Sequence, residues 1–66
     1  MVWTQKEIKL ARWLHENYER EAGRIGWETN KKCQTDFDYL PLANRLVMLN
    51  IARKLIQKFE LYSFLR

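Results

Sequence analysis

The sequence predicts an all-α fold: a small two-helix hairpin-like domain with a long packed aromatic connector, completed by oligomerisation. Three observations carry this expectation. Two stretches, one over about residues 5–22 and one from Pro41 onward, repeat apolar residues at helical spacing. The segment between them is too long and too aromatic for an idle loop. The chain has only 66 residues, and a domain of that size buries just about 60% of its unfolded surface, so a lone core is marginal. The whole span 1–66 is expected to form one helical domain.

The first helix announces its start. Thr4 followed by Glu7 is a capping box, in which the hydroxyl accepts the third helical amide and the carboxylate reaches back. Trp3, just before the cap, can staple onto Ile8. Ile8, Ala11, His15, Tyr18 and Ala22 mark one face, widened by Leu10 and Leu14. Gly23 is the expected C-terminal cap, since glycine tolerates a left-handed backbone. Arg12 and Arg20 lie within one turn of Glu16 and Glu19 and are expected to pair with them.

Residues 23–39 form the expected connector. They hold two glycines, the polar Asn30-Lys31-Lys32 turn, and the apolar Trp27, Phe37 and Tyr39. The alternation over Thr35–Tyr39 allows an extended segment, though a single short strand has no partner. Trp27 is expected to plug the open end of the helix pair, with one ring face left for a ligand.

The second helix starts near Pro41, which the first turn tolerates well. Its expected core stripe is Leu42, Leu46, Leu49, Ala52, Leu55, Ile56 and Phe59. Val47, Met48 and Ile51 make it apolar on further sides. Such excess implies contact with a second subunit. The tail Leu61-Tyr62-Ser63-Phe64-Leu65 is expected to pack as well.

Composition narrows the function classes. Cys33 is the single cysteine, so an intrachain disulfide is excluded. With His15 as its one nitrogen co-ligand, a closed zinc site is excluded too, and no metal or cofactor is expected. A lone thiol suits a reducing compartment, and no leader or membrane helix is recognisable, so a cytoplasmic protein is expected. The net charge of +4 is concentrated in residues 42–66, where Arg45, Arg53, Lys54, Lys58 and Arg66 face only Glu60. That excess suits an anionic partner, or is simply a solvated face. No nucleophile–base pair, glycine-rich phosphate loop or metal motif appears, so an enzyme is not expected. His15 has no Ser or Asp at a telling spacing. Its ordinary role would be a buried group bonding the backbone, and the functional alternative is a ligand pocket.

A wider set of residues resembles a known family. Leu10-Ala11, His15-Glu16, Tyr18, Arg24, Gly26-Trp27, Thr29, Phe37, Tyr39-Leu40-Pro41, Asn44-Arg45, Ala52 and Leu55 look like the RyR repeat domain, named for the ryanodine receptors. The match covers about residues 8–56. It departs from receptor repeats in its shorter connector and in being one copy rather than a tandem pair. The resemblance implies a ligand-binding module. Stand-alone RyR-like proteins of bacteria and phages are proposed to bind nucleotide-derived signals in biological conflict. It therefore implies a phage protein that sequesters such a signal without turnover, acting against host defence in the host cytoplasm. The ligand site carried over comprises His15, Tyr18, Arg24, Trp27, Asn44 and Arg45. Aromatic faces would stack a base, arginine forks would hold phosphate, and His or Asn would read polar edges. The partners implied are an anionic nucleotide-like molecule and further copies of the chain, with no membrane. The alternative is a protein–protein adaptor or inhibitor working through the apolar C-terminal helix. A nucleic-acid binder is the weakest reading, since Arg53, Lys54 and Lys58 are few for a phosphate-tracking surface.

Overall fold

A computed structural model describes residues 2–65, with side chains described for residues 2–60. Two long helices, α1 (Gln5–Ile25) and α2 (Leu42–Leu65), are joined by a connector holding two single-turn 3-10 helices, Lys31–Cys33 and Phe37–Tyr39. No strand occurs among the described residues. The two-helix hairpin-like fold is therefore the one the sequence predicts. The helices run antiparallel: Glu7, early in α1, meets Arg53 of α2, while Ala22, late in α1, shares a wall with Met48.

The start of α1 is capped as expected. The Thr4 hydroxyl accepts from the Glu7 amide (3.1 Å) and the Thr4 amide donates to Glu7 Oε1 (2.8 Å). The end differs. The helix runs three residues past Ala22, and its cap is Gly26, at φ 89°. The Trp27 amide reaches the Ala22 carbonyl (2.8 Å) and the Gly26 amide reaches that of Gly23 (3.3 Å). This is the Schellman arrangement, which needs a left-handed residue one position before the outer donor. Gly26 meets that requirement and Gly23 does not, so Gly23 stays helical.

The connector also differs from expectation. Phe37–Tyr39 is a 3-10 turn rather than an extended segment. Its period of three puts Phe37 and Leu40 on one side, and both are buried, while Tyr39 between them is exposed. Phe37 and Leu40 join Ala11, Leu49 and Ala52 in the core, and Trp3, Ile8, Leu10, Leu14, Cys33 and Met48 pack around it.

Arg12 does not pair with Glu16. It donates to both oxygens of Asp38 (2.9 and 3.2 Å) and lies over the Phe37 ring, 5.8 Å from its centroid. The connector thus supplies the acid that pattern counting assigned to the helix. Glu19 instead accepts from the Thr29 hydroxyl (2.8 Å), and no ion pair joins Glu16 or Glu19 to Arg12 or Arg20 among the described residues.

The expected stripe of α2 is covered only in part. Leu49 and Ala52 are buried and Leu55 and Ile56 half-buried, but Leu42, Leu46 and Phe59 are exposed. One neighbouring helix covers one strip of a helix that is apolar on more than one side. The side chains of the tail Leu61–Leu65 lie outside the described residues.

A clamp closes the open end of the hairpin. Arg53 donates to both oxygens of Glu7, donates to the Val2 carbonyl (3.0 Å), and stacks over the Trp3 ring at 4.1 Å. The guanidinium and the Thr4 cap together hold the Glu7 carboxyl well below its ordinary 4.5, at about 2.

Candidate functional site

Two concavities flank the connector's departure from α1, and each follows from local folding. The Schellman cap turns the chain sharply and leaves Trp27 at the lip, two-thirds exposed rather than plugging the pair. Its indole becomes a wall shared by both concavities, together with Tyr18 and Met48.

The first concavity is a cleft of about 460 Å³ between α1, the connector and the start of α2. That volume suits a small ligand. His15, Tyr18, Trp27 and Asn44 line it, together with Glu19, Glu28, Thr29, Asn30, Cys33, Leu40 and Met48. Four of the six residues singled out by the sequence therefore meet in one place. The other two do not line it. Arg24 is exposed and bonded to Glu21 within α1 (2.8 Å). Arg45 is half-buried in the first turns of α2, with its Nε buried and lacking a partner.

The polar groups of the cleft are held in order. His15 is buried, and its Nε2 donates to the Thr35 carbonyl (2.6 Å), because a carbonyl can only accept. Its ring lies tilted 6.5 Å from Phe37. Asn44 donates from Nδ2 to Cys33 Sγ (3.2 Å), which ties α2 to the connector. No hydrogen bond joins Cys33 to His15 among the described residues. Gln34 donates to the Thr29 carbonyl (3.1 Å), and Asn30 caps the turn that carries Lys31 and Lys32.

Glu19 is the residue the sequence reading missed. Its spacing in sequence pairs it with Arg12 or Arg20, whereas its Oε2 is engaged by Thr29 and its Oε1 is buried with no partner. Only the turn of the connector after Gly26, which no periodicity describes, brings Thr29 over it. A buried acceptor left unpaired is costly. The two charges lining the cleft, Glu19 and Glu28, are both negative. Lys31 and Lys32, which lie in sequence between the lining residues Asn30 and Cys33, are both exposed.

The second concavity is an apolar groove of about 660 Å³ between α1 and α2. Trp13, Leu14, Tyr18, Ala22 and Ile25 of α1, Trp27, and Met48 and Ile51 of α2 line it, with Asn17 and Glu21 as its polar members. Arg12, His15 and Glu19 turn toward the connector, while Trp13, Asn17 and Glu21 lie on another side of α1.

Among the described residues no cluster of His, Cys, Asp or Glu could hold a metal ion, and no helix is long and apolar enough to cross a membrane. Comparison with protein-family models, with curated proteins and with solved structures finds no match to this chain.

Proposed function

We propose that the protein binds a nucleotide-derived molecule without turning it over, taking the base into the cleft and leaving the phosphate toward solvent. The observation that carries this reading is the unpaired, buried Glu19 Oε1 beside the exposed rings of Tyr18 and Trp27. A carboxylate oxygen takes a charge-assisted bond from the exocyclic amine of a purine or cytosine. The flanking rings supply stacking surface that every base can use. The acidic lining disfavours phosphate inside the cleft, which leaves the exposed Lys31 and Lys32 as its partners at the rim. The RyR-like pattern belongs to the same reading, since His15, Tyr18, Trp27 and Asn44 are shared between pattern and cleft. In the setting that pattern implies, a phage protein in the host cytoplasm, binding alone lowers the free signal below its receptor's threshold.

Thermal-shift screening tests the proposal with guanosine, adenosine, cytidine and uridine monophosphates, cyclic dinucleotides and NAD-derived nucleotides. A ligand that binds only the folded state raises Tm by mass action. Amine-bearing bases are expected to stabilise more than uridine, and each is expected to be recovered chemically intact. Glu19→Gln is expected to weaken the best binder about tenfold, the difference between a charge-assisted and a neutral hydrogen bond. No shift with any nucleotide at millimolar concentration overturns the reading, as does product in excess of protein by mass spectrometry.

A further inference from the structure

The helices differ in what they bury. α1 is one-sided, with its buried residues Glu7, Ala11, His15 and Ala22 on one stripe. α2 carries apolar residues on more than one side, interleaved with Asn50, Lys54, Gln57 and Lys58, so one neighbouring helix cannot cover them all. Val47 and Ile51 are exposed, as are Trp13, Ile25 and Trp27 across the groove. The connector covers the hairpin through Phe37 and Leu40, and the groove is left uncovered.

The surface area of the whole chain points the same way. A compact monomer of 8.1 kDa exposes about 4,500 Å². This chain exposes 5613 Å². The excess of about 1,100 Å² exceeds the roughly 800 Å² that each partner contributes to a stable interface. The radius of gyration, 13.4 Å, is also larger than the value of about 11 Å expected for a compact domain of this length.

We propose that the groove is a self-association face on which a second copy of this chain docks. The pair would be related by a twofold axis, with Trp13, Ile25 and Ile51 of each copy covered by the other. Two hairpins stacked on this face give a four-helix arrangement, the common way for helical layers to bury an apolar side. The face does not repel a copy of itself. Its one charged lining residue, Glu21, is neutralised by Arg24 at 2.8 Å. A twofold interface sets the same patch against itself, so an unpaired charge near the axis would oppose docking. The inference needs no ligand, but Tyr18 and Trp27 border both concavities, so docking on the groove leaves only their cleft-facing sides for a base.

Sedimentation of the full chain at micromolar concentration, without nucleotide, tests it. Wild type is expected at twice 8.1 kDa. Ile51→Lys and Trp13→Lys are each expected at the monomer mass with helicity by circular dichroism retained, since both positions are already exposed. Tyr39→Lys, at an exposed position outside the groove, is expected to stay dimeric. A wild-type monomer overturns the proposal. So does a dimer that survives both groove substitutions, which would move the interface to another face of α2. Should Ile51→Lys lose its helicity, Trp13→Lys alone decides between these outcomes.

Discussion

Single residues divide here between those whose roles a pattern can show and those whose roles need the fold. His15 is legible because its polar ring interrupts an apolar stripe, and it does bond a backbone carbonyl. Glu19 and Arg24 look alike in sequence, as charged residues of one helix. Their neighbours separate them: Glu19 faces the connector, and Arg24 pairs with Glu21 at the surface. The phosphate role that the resemblance implies for Arg24 and Arg45 therefore has no support from the cleft. If the base is held as proposed, Arg24→Ala is expected to change nucleotide affinity less than twofold. Trp27→Ala is expected to lose about 1–3 kcal/mol of stacking. Trp27 is two-thirds exposed, so its truncation leaves no core void and folding should survive. Calorimetry on folded variants reads both values, and a large loss in Arg24→Ala with none in Trp27→Ala would relocate the site. The basic excess of α2 resolves in the same way. Arg53 is committed to Glu7, Val2 and Trp3, which further weakens the nucleic-acid reading.

Elements are legible where a local rule decides them. The capping box and the two apolar periodicities are local, and both helices stand where those signals put them. Helix ends and the connector are not local. Two glycines three residues apart offer the same signal, and choosing between them depends on where Trp27 must turn. That choice has an energetic consequence. Gly26, at φ 89°, holds a conformation that costs an L-residue about 1–2 kcal/mol, so Gly26→Ala is expected to destabilise by that amount. Gly23 is helical, and a Cβ added there meets nothing within 4 Å. Gly23→Ala is accordingly expected to stabilise by about 0.5–1 kcal/mol. Urea denaturation of the pair measures both, and the opposite signs make the comparison sharp. A destabilising Gly23→Ala beside a harmless Gly26→Ala would mean that the helix ends at Gly23. The 3-10 turn at Phe37–Tyr39 was hidden for a related reason. Alternation and a period of three differ by one residue over so short a segment, and only burial of Leu40 distinguishes them.

At the scale of the whole molecule, the hairpin is held by contacts far apart in sequence. The connector's Phe37 and Leu40 fill the space between the helices, and the Glu7–Arg53 clamp secures the end away from the connector. No motif pairs residues 46 positions apart, so this clamp was invisible before folding. It makes stability depend on acid in a defined direction. Glu7 is held at about 2 in the folded chain against an ordinary 4.5. A carboxyl whose folded value is depressed binds protons more readily when unfolded, so stability falls as pH falls. Its contribution is complete above about 4.5 and is lost as pH drops toward about 2. Glu7→Gln removes the charge at every pH. The gap in Tm between wild type and Glu7→Gln is therefore expected to be widest at neutral pH, to shrink below about 4.5, and to close near about 2. Thermal melts followed by circular dichroism across that range test it. The comparison must be made at one protein concentration, because the proposed self-association would itself make Tm depend on concentration. Other carboxylates titrate in both proteins and cancel from the difference. A gap that stays constant from neutral to acid pH would show that the clamp stabilises through packing of Arg53 on Trp3 and not through the Glu7 charge.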